Sequence, residues 1–185
     1  AAPGIKMSLA GNYHKELVDK IYDYCIAWKQ QFTPEDLALR NSKGWISTSY
    51  TACPDEMPNV GSNNEPIEAT YLPLYCLANG FNGFLRWAWM NWTDNPMYDS
   101  RFKLFTPGDT YIVYPGMHSS RRFEHIIRGV QNAAKIETLR KEYKQKRNQK
   151  DLQLLEDALS QFKNPTPNEA ELKSSINKIE LLLNK

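Results

Sequence analysis

The sequence has few cysteines and histidines and no long apolar run. Its three cysteines, Cys25, Cys53 and Cys76, are odd in number and far apart, which argues against a disulfide framework and a paired-thiol metal site. The histidines are equally scattered, so we expect no bound metal and no cofactor. No segment approaches the roughly 20 apolar residues of a membrane span. No signal peptide is recognisable either, so we expect any export signal to lie upstream.

The chain also lacks a strong excess of charge of either sign. Its 185 residues carry a formal charge of +2 at pH 7, and the basic cluster at 141–150 falls on what we predict to be a solvated helix end. Without a basic stripe along one face, we expect no nucleic-acid partner. With 41% hydrophobic and 24% charged residues, the composition is typical of a globular protein with one core and an appendage.

The most informative stretch is the aromatic run at 83–92, GFLRWAWMNW. It is bounded by turn residues and carries almost no charge, which predicts a buried strand. Strand alternation would place Leu85, Trp87 and Trp89 against covering helices and the residues between them on the other face. That second face carries Arg86 and ends in tryptophan, like the inside of a barrel strand with a site at its mouth.

Strands alternate with helices along the first three quarters of the chain. We predict strands at 5–11, 22–28 and 45–52 and helices at 14–20, 34–43 and 66–79. The helix at 34 has a clear start signal, since Thr33 can cap it and Pro34 suits its first position. After the aromatic run, a long loop precedes a helix that begins near residue 119 and ends near 143. Four strand and helix units in succession predict an α/β fold with a parallel sheet.

The last part of the chain, residues 144–185, has a different pattern. Apolar residues recur at helical spacing in two segments that Pro165 and Pro167 separate. This pattern predicts a helical hairpin with one apolar stripe on each helix. We expect the hairpin to pack on the outside of a domain formed by residues 1–143. In an alternative interpretation, the chain is a stand-alone α/β interaction domain and the hairpin is its docking surface.

Three motifs, in this order, resemble one known family. They are FNGFLRWA at 81–88, GDTY at 108–111 with YPG at 114–116, and SSRRFE at 119–124 followed by RGVQ at 128–131. The family is the catalytic domain of the glycoside hydrolase family 123 type, and the similarity runs from about Ile5 to Arg140. It implies a (β/α)₈ barrel that acts on glycans, the characterised members being β-N-acetylgalactosaminidases. It also implies substrate-assisted hydrolysis, in which the acetamido group of the substrate is the nucleophile.

Compared with that family, the chain resembles only the second half of the barrel, strands five to eight. The family's adjacent Asp-Glu pair, which orients the acetamido group and protonates the leaving group, belongs to an upstream strand. We interpret Asp55-Glu56, in a proline-rich loop, as a solvated pair and therefore assign no catalytic residue. We expect the isolated segment to be inactive. We also expect it to pair with the missing N-terminal half or to self-associate through its open sheet face.

The candidate substrate-binding residues lie at the carboxyl ends of the predicted strands, where barrel sites are found. They are Tyr50, Asn91, Trp92, Asp94, Asp109 and Tyr111. Flat rings stack on sugar faces, and carboxylates and amides bind hydroxyls. Structural roles are the alternatives: Asp109 could form a loop turn, and Arg86 could neutralise a buried acid.

Besides the interaction domain mentioned above, two functions remain open at the level of sequence. In the first, the chain is part of a glycoside hydrolase that is secreted, periplasmic or at the cell surface and that binds a glycan substrate. The second is a carbohydrate-binding module that holds a glycan without cleaving it.

Overall fold

The fold is built on four parallel strands that hydrogen-bond to one another in chain order. The computed structural model describes residues 4–52 and 57–184. The strands are β1 (Ser8–Gly11), β2 (Asp23–Ala27), β3 (Ile46–Tyr50) and β4 (Gly83–Leu85), and the sheet order is β1-β2-β3-β4. The predicted α/β fold with a parallel sheet is confirmed.

The described ranges contain five α-helices, of which two lie between strands and three follow the last strand. They are α1 (Pro34–Ser42), α2 (Glu68–Ala78), α3 (Arg121–Gln145), α4 (Gln149–Ser160) and α5 (Glu169–Leu183). The predicted start of α1 is correct: the Thr33 hydroxyl accepts from the Asp36 backbone N at 3.2 Å, and the Asp36 carboxylate accepts from the Thr33 N at 3.2 Å. The helix expected at 14–20 is only a 3₁₀ turn, Lys15–Leu17.

The two faces of the sheet differ in burial. On the helix side, Tyr24 and Ile26 of β2 and Ser47 and Ser49 of β3 are all buried. The opposite side, which we call the open face, consists mainly of half-buried or exposed residues: Ser8, Ala10, Asp23, Ala27, Tyr50 and Leu85. Cys25 is the buried exception on that side. Parallel sheets are normally covered on both faces. The described residues therefore supply a covering layer for one face.

The hydrophobic core lies between the sheet and the helices, with α2 at its centre. Every residue of α2 from 68 to 76 is buried. The helical hairpin predicted from the sequence is formed by α4 and α5 and packs on α2 and α3. The Tyr71 hydroxyl of α2 donates to the carbonyl of Asn164 at 2.9 Å, and the Trp28 indole donates to the carbonyl of Pro165 at 2.8 Å. The hairpin is thus bonded to the sheet layer as well as packed on it. The domain boundary at 143–144 stays a prediction.

The strand predicted at 83–92 is wrong in length. β4 ends at Leu85, opposite Tyr50, the last residue of its partner β3. Beyond that point the backbone bonds instead to the loop before α3, with the N–H of Ile112 donating to the carbonyl of Trp89 at 3.0 Å. A strand without a neighbouring strand cannot continue as sheet, so the remaining aromatics lie in a loop.

The prediction of which residues in this run face the helices is also wrong in part. Phe84, and not Leu85, is the β4 residue that packs against the helix-side core. Trp87, which we expected under a helix, is 45% exposed. Trp89 does reach the helices, where its ring meets Phe123 of α3 edge to face at 6.0 Å between centroids. Among the described residues no helix is both long and apolar enough to cross a membrane.

Candidate functional site

The candidate site is built from the loops that follow β3 and β4, and a buried arginine fastens the two loops together. Arg122, in the first turn of α3, donates through Nη1 to the carbonyls of Val60 at 2.6 Å and Gly108 at 2.7 Å. Burial lowers the pKa of the Arg122 guanidinium. Gly108 has φ +73°, and a Cβ there would lie 2.0 Å from the Ser62 hydroxyl and 3.0 Å from Arg122 Nη1. Glycine is required at this junction on both counts.

Directly after β4, Arg86 forms a buried ion pair with Asp109. The side chains of Arg86 and Asp109 are 0% and 3% exposed. Arg86 Nη2 donates to the Asp109 carboxylate Oδ1 and to the Asp109 backbone carbonyl. This agrees with the alternative in which Arg86 neutralises a buried acid.

The second oxygen of the Asp109 carboxylate accepts a hydrogen bond from the exposed indole of Trp87. Trp87 Nε1 donates to Asp109 Oδ2 at 3.2 Å, and the Trp87 ring packs on Phe105 at 5.1 Å between centroids, tilted by 31°. Phe105 in turn stacks with Phe102 at 6.3 Å between centroids. Trp87 is 45% exposed as a residue, and its ring is held at the nitrogen and on one side. Such a ring can stack on a flat ligand with little loss of conformational entropy.

Three of the six sequence-predicted residues lie on the surface of the same loop. Trp92 is 38% exposed, and its Nε1 donates to the carbonyl of Val113 at 2.8 Å. Asn91 and Asp94 are exposed on either side of it, and the backbone N–H of Asn91 donates to the carbonyl of Thr110 at 3.1 Å. These residues provide an indole, an amide and a carboxylate that solvent and ligands can reach.

The other three predicted residues have different surroundings. The Asp109 carboxylate accepts the hydrogen bonds from Arg86 and Trp87 described above. Tyr111 is fully buried, and its hydroxyl donates to the carbonyl of Pro96 at 2.9 Å. Burial raises the Tyr111 pKa, and the hydrogen bond to Pro96 fixes the loop. Tyr50 lies half-buried at the carboxyl end of β3, on the open face.

Trp87 is the functional candidate that sequence reasoning missed, because strand alternation assigned it to the core. The Asp55-Glu56 pair lies outside the described residues. Burial raises the pKa of the Cys25 thiol to about 11, as suits an inert core residue. The described part of the chain holds no group of three or more His, Cys, Asp and Glu side chains that could bind a metal ion.

Comparison with known proteins confirms the resemblance suggested by the motifs. The family described as glycoside hydrolase 123, catalytic domain, matches residues 1–139. A solved structure with a similar fold is a family 123 glycoside hydrolase from Clostridium perfringens, described in connection with glycolipid glycan hydrolysis. That match has a TM-score of 0.79 and 24% sequence identity, and it covers 97% of this chain and 34% of the other. This chain therefore spans about a third of that protein's length. A search of curated proteins found no match.

Proposed function

Because the chain belongs to the glycoside hydrolase 123 catalytic domain family, we propose that it forms part of a glycoside hydrolase and supplies substrate-binding loops to its active site. The proposed substrates are N-acetylhexosamine glycans of the β-N-acetylgalactosaminide type. The observation that carries the proposal is the exposed Trp87 ring, held by the buried Asp109 carboxylate next to the carboxyl end of β4. Sugar sites of α/β barrels lie at that end of the strands.

We propose further that the chain is the second half of a (β/α)₈ barrel. Three features support this: the strands are parallel, they follow one another in chain order, and the helices cover one face. When further strands complete such a sheet, the open face becomes the inside of the barrel. The greater length of the similar Clostridium perfringens protein, of which this chain matches 34%, is consistent with the additional strands that closure needs.

In this arrangement each residue has a definite role. Trp87 and Trp92 stack on sugar faces, while the Asn91 amide and the Asp94 carboxylate bind hydroxyls. Asp109 is a positioning residue, since it acts through the Trp87 indole. Tyr111 fixes the loop, and Tyr50 contributes to the inner surface of the barrel.

The proposed chemistry of the whole enzyme is substrate-assisted retaining hydrolysis. The acetamido oxygen of the substrate attacks the anomeric carbon, a carboxylic acid of the protein protonates the departing oxygen, and water then opens the cyclic intermediate. We assign both catalytic carboxyl groups to an upstream strand. This chain then binds and orients the sugar, and by itself it does not hydrolyse an aryl N-acetyl-β-galactosaminide. Turnover by the isolated chain that disappears with Asp55→Asn or Glu56→Gln would contradict this assignment.

The binding role is tested in the longer protein that includes the upstream strands. Trp87→Ala and Trp92→Ala should each lower kcat/KM on the aryl glycoside by about tenfold, the loss expected when a stacking ring is removed. Leu181→Ala is the control, because Leu181 is 71% exposed on α5. Unchanged kinetics in both tryptophan variants would contradict the proposed site. Glycan binding that depends on these rings, in a longer protein without turnover, would favour the alternative of a non-catalytic carbohydrate-binding module.

A further inference from the structure

The loop between β4 and α3 carries apolar side chains that point into solvent. Within residues 97–105, a segment we call the apolar tip, Met97 is 60% exposed, Tyr98 89%, Leu104 101% and Phe105 39%. Single exposed apolar residues are common on protein surfaces and need no explanation. Four within nine residues, one of them a leucine with its whole side chain in water, form a feature that folding alone does not account for.

The tip ends in a tight turn that projects Leu104. The backbone N–H of Phe105 donates to the carbonyl of Phe102 at 3.1 Å, and Lys103 between them has the left-handed φ of 54°. Tight turns normally carry Gly, Asn, Asp or Ser at such positions. A Lys-Leu pair at this turn is therefore unfavourable for local structure and presents an aliphatic side chain outward.

Of the three charged side chains in the apolar tip, Lys103 is the one without an ion-pair partner in the described part of the chain. The Arg101 guanidinium is bound by its neighbour Asp99, with Nε at 2.8 Å from Oδ1 and Nη2 at 2.7 Å from Oδ2. The Lys103 ammonium lies over the Phe102 ring, 5.3 Å from its centroid. An exposed cation on a flexible stem next to apolar side chains is the arrangement found at bilayer interfaces, where the stem lies along the apolar region and the charge meets lipid phosphates.

We propose that the apolar tip binds the surface of a lipid bilayer. A convex tip with an aliphatic end suits the boundary between headgroups and acyl chains. It suits a sugar less, because Leu104 offers neither a flat ring nor a hydrogen-bonding group. Phe105 joins the tip to the candidate site through its contact with Trp87, at 5.1 Å between ring centroids. An inserted tip therefore holds the Trp87 ring close to the headgroup layer. If the proposed function is right, on which this step rests, the inserted tip places the sugar site at the membrane surface.

The binding is tested by sedimenting the longer protein that includes the upstream strands with phosphatidylcholine vesicles, with and without phosphatidylserine. We expect Leu104→Ser to weaken partitioning by about tenfold, since it removes one buried aliphatic side chain. Lys103→Gln should weaken binding about fivefold to the vesicles that contain phosphatidylserine and much less to the neutral ones. Leu181→Ser is the matched control, because Leu181 is also a highly exposed leucine but lies on α5. It should bind like the unaltered chain.

Three outcomes would overturn the proposal. The first is no sedimentation with either kind of vesicle, and the second is an equal loss in the Leu104 and Leu181 variants. The third is a Leu104→Ser variant that binds vesicles normally but lowers the melting temperature of the longer protein. That result would mean that other residues of the protein cover the tip.

Hydrolysis of the soluble aryl glycoside separates this proposal from the proposed function. Leu104→Ser should leave that activity unchanged, whereas Trp87→Ala should impair it. Failure of vesicle binding alone refutes the membrane contact, and failure of the Trp87 effect alone refutes the sugar site.

Discussion

Removal of the Asp109 carboxylate should destabilise the fold strongly, because it leaves a buried cation without its counter-ion. The Arg86 side chain is 0% exposed, and its ion pair with Asp109 is buried on both sides. The remaining guanidinium atoms, Nε and Nη1, have no hydrogen-bond partner in the part of the chain that the structure describes. Breaking a buried pair from one side costs about 3–5 kcal/mol. At about 2–4 °C per kcal/mol for a chain of this size, Asp109→Leu should lower the melting temperature by roughly 10 °C.

A double-mutant cycle separates the pair from the packing around it. Arg86→Met alone leaves a buried carboxylate and should also destabilise the protein. The double variant Arg86→Met with Asp109→Leu replaces both charges by apolar side chains, and such replacements are often close to neutral. The free energy of unfolding of the four proteins, measured in urea, then gives the coupling energy. A double variant whose loss equals the sum of the two single losses would refute the reasoning, as would an Asp109→Leu variant of unchanged stability.

Three further predictions concern packing, protonation and assembly. Gly129→Ala should lower the free energy of unfolding in urea by about 1–3 kcal/mol, because the new Cβ would lie 2.6 Å from the Thr70 carbonyl oxygen; equal or higher stability would contradict this close approach of α2 and α3. Burial holds the pKa of His125 below its ordinary value, so the unfolded chain binds more protons and the melting temperature should fall as pH drops below about 6.5. His125→Gln should remove that component of the pH dependence, and an unchanged profile would refute it. The isolated chain should self-associate through its open face at micromolar concentration in light scattering, whereas a monomer with one sharp unfolding transition would contradict the half-barrel proposal.

Local signals in the sequence were sufficient where a structural element depends on its own residues. The start of α1 follows from Thr33, Pro34 and Asp36, which form the cap within one turn. The two hairpin helices follow from apolar spacing, and the succession of strands and helices predicts the parallel sheet. In each case the deciding contacts lie within the element or follow from the regular order of elements.

The length of β4 and the position of Trp87 could not be predicted in this way, because distant residues decide both. β4 ends where its partner β3 ends at Tyr50, and aromatic composition carries no information about that limit. Trp87 is held outward by Asp109, which lies 22 residues away in the sequence. The sequence signal closest to predicting the position of Trp87 was Arg86. A buried arginine needs a carboxylate, and the indole of the following residue, Trp87, can bind the same carboxylate.

The distribution of fixed and free groups along the loop accords with the two proposed contacts. The part that bears Trp87 is fixed by the Arg86 pair, by the carbonyl of Gly108 bound to Arg122, and by the hydroxyl of Tyr111. A site that must recognise one sugar geometry gains affinity from such preorganisation, because less conformational entropy is lost on binding. A bilayer surface has no fixed geometry, so residues that enter it need exposure and apolar character more than rigid positions. The same loop can therefore serve both contacts, because Trp87 and Leu104 are different residues and Phe105 connects them through its contact with Trp87.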